Sequence, residues 1–200
     1  RFNQTLVFGA VCIAILLGVV FSRSRSGISL TMLGILLSAV VYGFKVGGQR
    51  STNLVALFSL VGVALALQVG LAPVLERFSV EGTLEDARWD IFVSSVSALG
   101  SFFPFGSGLG TFPEIYRRFQ PDDIGYFVNH AHNDYIEYVF EGGLIAAAVI
   151  LLFLVVYVRA WPRLLHLPRW GMLSFMQAGA GIGLLLMALH GLTDYNWHIP

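Results

Sequence analysis

The stretch Leu144-Ile145-Ala146-Ala147-Ala148-Val149-Ile150-Leu151-Leu152-Phe153-Leu154-Val155-Val156-Tyr157-Val158 decides the fold. It carries no charge. A helix rises about 1.5 Å per residue and the hydrocarbon layer takes about 20 apolar residues to cross, so this block, lengthened by its flanks, spans a bilayer. Leu6 to Phe21, Ile28 to Phe44, Leu54 to Val74 and Met172 to Leu189 share its character, and no Asp, Glu, Lys or Arg falls inside any of these blocks. Hydrophobic residues make up 56% of the chain and charged residues 12%, about half the charge of an ordinary soluble domain.

These features predict an all-α protein, a polytopic transmembrane helical bundle of about five spans. Residues 1–75 supply three transmembrane helices. Residues 76–143 form a large outer loop whose interfacial, amphipathic helices carry the site, and 144–200 add two transmembrane helices and an outward-facing end. No small-residue cleavage site follows the first block, so it reads as a span and not as a signal peptide. The chain opens on Arg1 and stops at Pro200 just after a polar cluster, and it reads as a piece of a longer membrane protein. A net charge of zero argues against a nucleic-acid partner, and the single Cys12 cannot form an internal disulfide.

Basic residues in short loops stay on the cytoplasmic side. Lys45 and Arg50 follow the second block, Arg159, Arg163 and Arg169 follow the fourth, and neither loop holds an acid. With both loops inside, all twelve acids fall on the outer face. So does the Ser22 to Ser26 turn with Arg23 and Arg25. Two readings of that turn compete: arginines that snorkel to headgroups, or that expose a local inversion of topology, and an anion site, because a guanidinium pairs with phosphate oxygens and stays charged.

Within the outer loop, Thr83 to Ser101 reads as an amphipathic helix with acids in its first turn and Trp89, Phe92, Val93 and Val96 in one stripe, lying along the membrane surface. Arg88 on this helix is either one half of a surface ion pair or a second phosphate contact. The glycines of Pro104 to Phe112 superficially suggest a nucleotide-binding loop, but no strand precedes them; they instead allow a tight backbone path or a close approach. The densest chemical cluster is Asn129 to Glu137. His130 and His132 with Asp134 are one candidate metal set, yet their spacing puts the two imidazoles on different helical faces. Two other readings stand beside it: His and Asn capping a helix that begins near Asn133, and a histidine acting as a general base, since its ordinary pKa is near 6.5.

At these residues the chain resembles the O-antigen ligase and polymerase family of bacterial envelope glycosyltransferases. That family shows a His-Asn pair followed after nine residues by Gly-x-x-Gly; here His132-Asn133 is followed by nine residues and Gly143, with Ala146 in place of the second glycine. Alanine is small enough for close helix packing. Ser24-Arg25-Ser26-Gly27 opening a span, Arg88 before Trp89, the Pro104 to Phe112 stretch and the ending His190 to Asp194 are similar too, so the likeness runs from about residue 20 to the end.

The resemblance implies a multi-pass protein of the bacterial inner membrane with its active face in the periplasm. It implies a metal-independent, inverting transfer of glycan, without a cofactor, from an undecaprenyl-diphosphate carrier to lipid A core or another glycan acceptor. In that expectation Arg25 and Arg88 neutralise the leaving diphosphate and His132 accepts the proton. Arg23, Asn133, Asp134, Glu137, Tyr116 and Arg117 contact substrate, and Trp89, Tyr126 and Tyr135 are further aromatic faces for a sugar. A polymerase of the same family carries the same residues. A polysaccharide transporter or flippase predicts ionisable residues inside the spans, and the five blocks hold none.

Overall fold

A computed structural model describes residues 2–21, 24–46 and 82–194, and every regular element among them is helical. The chain divides into two units, Arg1–Glu76 and Arg77–Pro200.

The first unit contains α1 (Phe2–Phe21) and α2 (Arg25–Val46). Ser24 starts α2: its hydroxyl accepts the Gly27 N–H at 3.1 Å and its carbonyl accepts the Ile28 N–H at 3.0 Å. The first contact meets a donor that a helix start leaves open, and the second is the first turn's regular bond to the N-cap carbonyl. The Ser-Arg-Ser-Gly signal thus marks a helix start where the sequence predicts one.

The second unit contains α3 (Gly82–Ala98), continued by a 3-10 turn at Leu99–Ser101, then the short α4 (Phe112–Tyr116), α5 (Asp134–Leu165) and α6 (Met172–His190). Three described helices are long and apolar enough to cross a membrane: α2 over Ser26–Gly43, α5 and α6. In α1 the apolar stretch is the shorter Ala10–Val19. The predicted span at Leu54 to Val74 lies outside the described residues. Along α5, Ile145, Val149, Leu152 and Val156 on one face and Leu151, Leu154 and Val158 on the opposite face are all exposed. A helix apolar on opposite faces and uncovered by protein needs lipid around it.

α5 starts at Asp134, ten residues before the apolar block predicted from sequence, because polar residues form its first turns. It is broken at Gly143, whose φ of 56° and ψ of −139° are not helical. The break frees backbone groups that an unbroken helix would pair internally, and the 104–108 segment takes them up. Ser107 N–H donates to Phe140 O at 2.9 Å, Gly108 N–H to Glu141 O at 2.9 Å, and Leu144 N–H to Pro104 O at 2.8 Å. The glycine stretch is therefore a strap docked on a helix kink.

Beneath the strap lies the core of the segment between α3 and α5, built from Ile91 and Ala98 of α3, Phe112 and Tyr116 of α4, Ile124, Val128 and Ala131 of the following loop, and Phe140 of α5. Phe140 meets Phe112 edge to face with ring centres 5.1 Å apart. Burying an aromatic or large aliphatic side chain here contributes about 1.5–3 kcal/mol. α3 turns Ile91, Ser95 and Ala98 inward. The stripe predicted from sequence faces the other way: Trp89 is 65% exposed, and Val93 and Val96 are exposed beside it. Both faces of this helix are largely apolar, which hydrophobic spacing alone does not separate.

α5 and α6 run antiparallel and are hydrogen-bonded at two places. Tyr157 Oη–H donates to Gly181 O at 2.9 Å, and Tyr135 Oη–H to Ala188 O at 2.7 Å. The second contact brings the start of α5 to the end of α6, where the polar cluster sits.

Candidate functional site

Asn133 is the N-cap of α5. Its extended backbone lets Oδ1 accept the N–H groups of Tyr135 at 3.1 Å and Ile136 at 3.2 Å, the arrangement favoured for Asn in this position. Its Nδ2 donates to Leu192 O at 3.0 Å, and the Asp134 N–H donates to Gly191 O at 2.9 Å. Asn133 and Asp134 thereby tie the α5 start to the turn that ends α6.

On the other side of His132, Glu137 holds the chain. Its Oε2 accepts the Ala131 N–H at 2.8 Å and its Oε1 lies 2.9 Å from His130 Nδ1. Glu137 is 1% exposed. A buried carboxylate facing this nitrogen accepts a hydrogen bond, so His130 carries a proton on Nδ1. Glu141, one turn on, accepts the Phe112 N–H at 2.9 Å and fixes the start of α4.

His132 lies between these anchors with φ of 53°, the one positive φ at a non-glycine among the described residues. The left-handed region costs a side-chain-bearing residue about 1–2 kcal/mol. Such strain persists where the surroundings over-determine it, and it clusters at functional sites. The imidazole is about one-quarter exposed, with Nδ1 3.9 Å from Asp194 Oδ1. Its pKa is lowered from 6.5, chiefly by burial and then by the positive charge of Arg88; Asp194 pulls it upward and His130 further down. His132 is thus held neutral, the form that can accept a proton.

Arg88 is exposed on α3, and its charge reaches His132. Arg117 is exposed just after α4. Arg25 is the first residue of α2, and Arg23 lies outside the described residues. Four of the residues expected to contact substrate lie inside the protein. Asn133, Asp134, Glu137 and Tyr116 are all buried. The first three shape the turn around His132. Tyr116 stacks on Phe112 with ring centres 4.9 Å apart and its hydroxyl meets Ser94 Oγ at 2.7 Å, so it joins α3 to α4 and has no face left for a sugar.

Sequence reading missed the His130–Glu137 pair, the Glu141 contact to Phe112 and the approach of Asp194 to His132. The signal for the first two was present: Glu137 and Glu141 are four apart, on one face of a helix that turns apolar immediately afterwards, where a carboxylate needs a partner.

The fold and the site define a multi-span helical membrane protein whose polar groups gather where two spans emerge on the same side. The family model described as O-antigen ligase matches residues 10–151, more than half of the chain, and the chain belongs to that family. The match starts earlier than the likeness read from motifs and stops before His190 to Asp194. No curated protein and no solved structure matches the chain. Membership in an O-antigen ligase or polymerase-like family implies lipid-linked glycan substrates and a place in the membrane.

Proposed function

We propose that this protein is a glycosyltransferase that moves a glycan from an undecaprenyl-diphosphate carrier to an acceptor hydroxyl at the periplasmic face of the inner membrane, with inversion at the anomeric carbon. The observation that carries the reading is His132, a non-glycine residue held at φ 53° by anchors on both sides, with burial and Arg88 lowering its pKa.

In the proposed step the acceptor oxygen attacks the anomeric carbon, the bond from that carbon to the diphosphate oxygen breaks, and the hydroxyl proton passes to a ring nitrogen of His132. The bonding electrons leave with the diphosphate. Cations placed at the developing charge stabilise it more in the transition state than in the ground state. Arg88 is one such cation; on the family likeness alone, Arg25 is the other, with Arg23 beside it in sequence. Guanidinium suits this role through its paired donors. Glu137 and Asn133 act through His132, as positioning residues.

The test is reconstitution of the protein in a bilayer with a lipid-diphosphate-linked glycan and candidate acceptors. Product is expected from the wild type and none from His132→Ala inserted to the same level. Normal transfer by His132→Ala would remove His132 from the mechanism. Full activity in both Arg25→Lys and Arg88→Lys would overturn the paired-cation part.

A further inference from the structure

A polar cleft lies in the loop after α4, lined by Arg117, Gln120, Asp122, Tyr126 and Phe127, with a volume of about 480 Å³. That is within the usual range of small-ligand sites. From its lining, we infer that this cleft is a saccharide subsite. The inference rests on the glycan-transfer reading and adds to it a place where sugar rings are recognised away from the reacting bond.

The cleft is preformed. Gln120 Nε2 donates to Ile124 O at 2.6 Å and to Tyr126 O at 2.8 Å, and the Ile124 N–H donates to Pro121 O at 3.1 Å. Ile124 and Val128 are sunk in the core on either side of the rim. Between them Tyr126 and Phe127 stay half exposed, 49% each. Aromatic rings held at a concave polar surface, when a core lies next to them, are placed for contact with something else.

The chemistry of the lining selects the ligand class. Arg117 brings only donors and Asp122 only acceptors. An anion would meet Asp122 and a cation would meet Arg117, so the pair disfavours an ion of either sign while serving a neutral ligand that both donates and accepts. A pyranose has that character: a rim of hydroxyls and an apolar C–H face that lies against a ring. The strongly exposed apolar side chains of the outer segment, Trp89, Phe103, Phe105 and Leu109, are not part of this lining, which separates the cleft from a surface built to enter lipid.

The experiment uses the bilayer-reconstituted protein and its Arg117→Ala and Tyr126→Ala variants, both of which leave the Gln120 staple intact. For one saccharide substrate, KM should rise about tenfold with kcat within about twofold, the pattern for lost binding away from the transition state. In saturation-transfer NMR a lipid-free repeat-unit saccharide should receive signal from the wild type and from His132→Ala, and lose it with Tyr126→Ala. Unchanged KM and unchanged saccharide signal in both variants would overturn the subsite. So would a Tyr126→Ala variant that alters only how the outer segment partitions into lipid. If the wild type transfers no glycan, the reaction reading fails by itself, and the NMR comparison still decides the subsite.

Discussion

Gly106 and Gly143 face one another backbone to backbone. A Cβ on Gly143 would lie 2.6 Å from Gly106 N, and a Cβ on Gly106 would lie 2.6 Å from Gly143 N. Both have positive φ, 81° and 56°. Neither position has room for a side chain or a conformation that favours one, and the contact joins the glycine strap to the break in α5.

Replacing either glycine with Ala should therefore destabilise the α3 to α5 segment by about 2–4 kcal/mol, from left-handed backbone cost together with overpacking. Thermal unfolding in detergent followed through intrinsic fluorescence measures this. A loss below about 0.5 kcal/mol in both variants, the range of an indifferent surface change, would mean that the strap is not held by this contact.

His132→Gly and His132→Ala should both lose transfer but differ in stability. Glycine takes φ near 53° without the Cβ penalty, so His132→Gly should be more stable than His132→Ala by about 1 kcal/mol. Equal unfolding midpoints for the two would show that the turn relaxes and stores no strain at this residue.

The pH dependence has a defined sign. His132 must be neutral to accept a proton, and its pKa lies below 6.5, so activity limited by this group should fall only as pH drops through that lowered value. Arg88→Gln removes a charge that lowers the pKa and should move the His132 titration up. Asp194→Asn removes a charge that raises it and should move the titration down. Imidazole NMR of His132 reads both shifts, and shifts of the same sign in the two variants would contradict the electrostatic picture.

Glu137→Gln should reverse the His130 tautomer. If the amide oxygen keeps the Ala131 N–H, the amide nitrogen faces His130 Nδ1 and favours its unprotonated form, which ¹⁵N chemical shifts of the ring distinguish. Glu137→Ala leaves the Ala131 N–H without its partner in a buried place, at a cost of about 1–3 kcal/mol. An unaltered His130 tautomer in Glu137→Gln would argue that this carboxylate does not set it.

Much of this was legible in the residues. The apolar blocks at Ile28 to Phe44 and Met172 to Leu189 became α2 and α6 with small shifts at their ends. Ser24 and Asn133 signalled helix starts, because a short polar side chain before an apolar run meets the donors that a helix leaves open. The Pro104 to Phe112 glycines were read as a tight path or close approach, which the strap bears out. The partner of that approach was hidden, since nothing near Gly143 in sequence refers to residue 106. The α3 stripe was assigned without its opposite face, and the burial of Tyr116 in the core was not visible in its neighbours along the chain.

Composition and spacing alone pointed to a helical membrane protein and offered a helix start near Asn133 as one reading of the polar cluster. These are local properties, governed by helical rise, side-chain polarity and hydrogen-bond donors a few residues away. The rest needed contacts between residues far apart in the chain. Glu141 meeting Phe112, Asn133 meeting Leu192 and Asp194 approaching His132 arise because buried polar groups must find partners wherever the packed chain brings them, and that packing decides which carboxylates touch solvent and which hold the backbone.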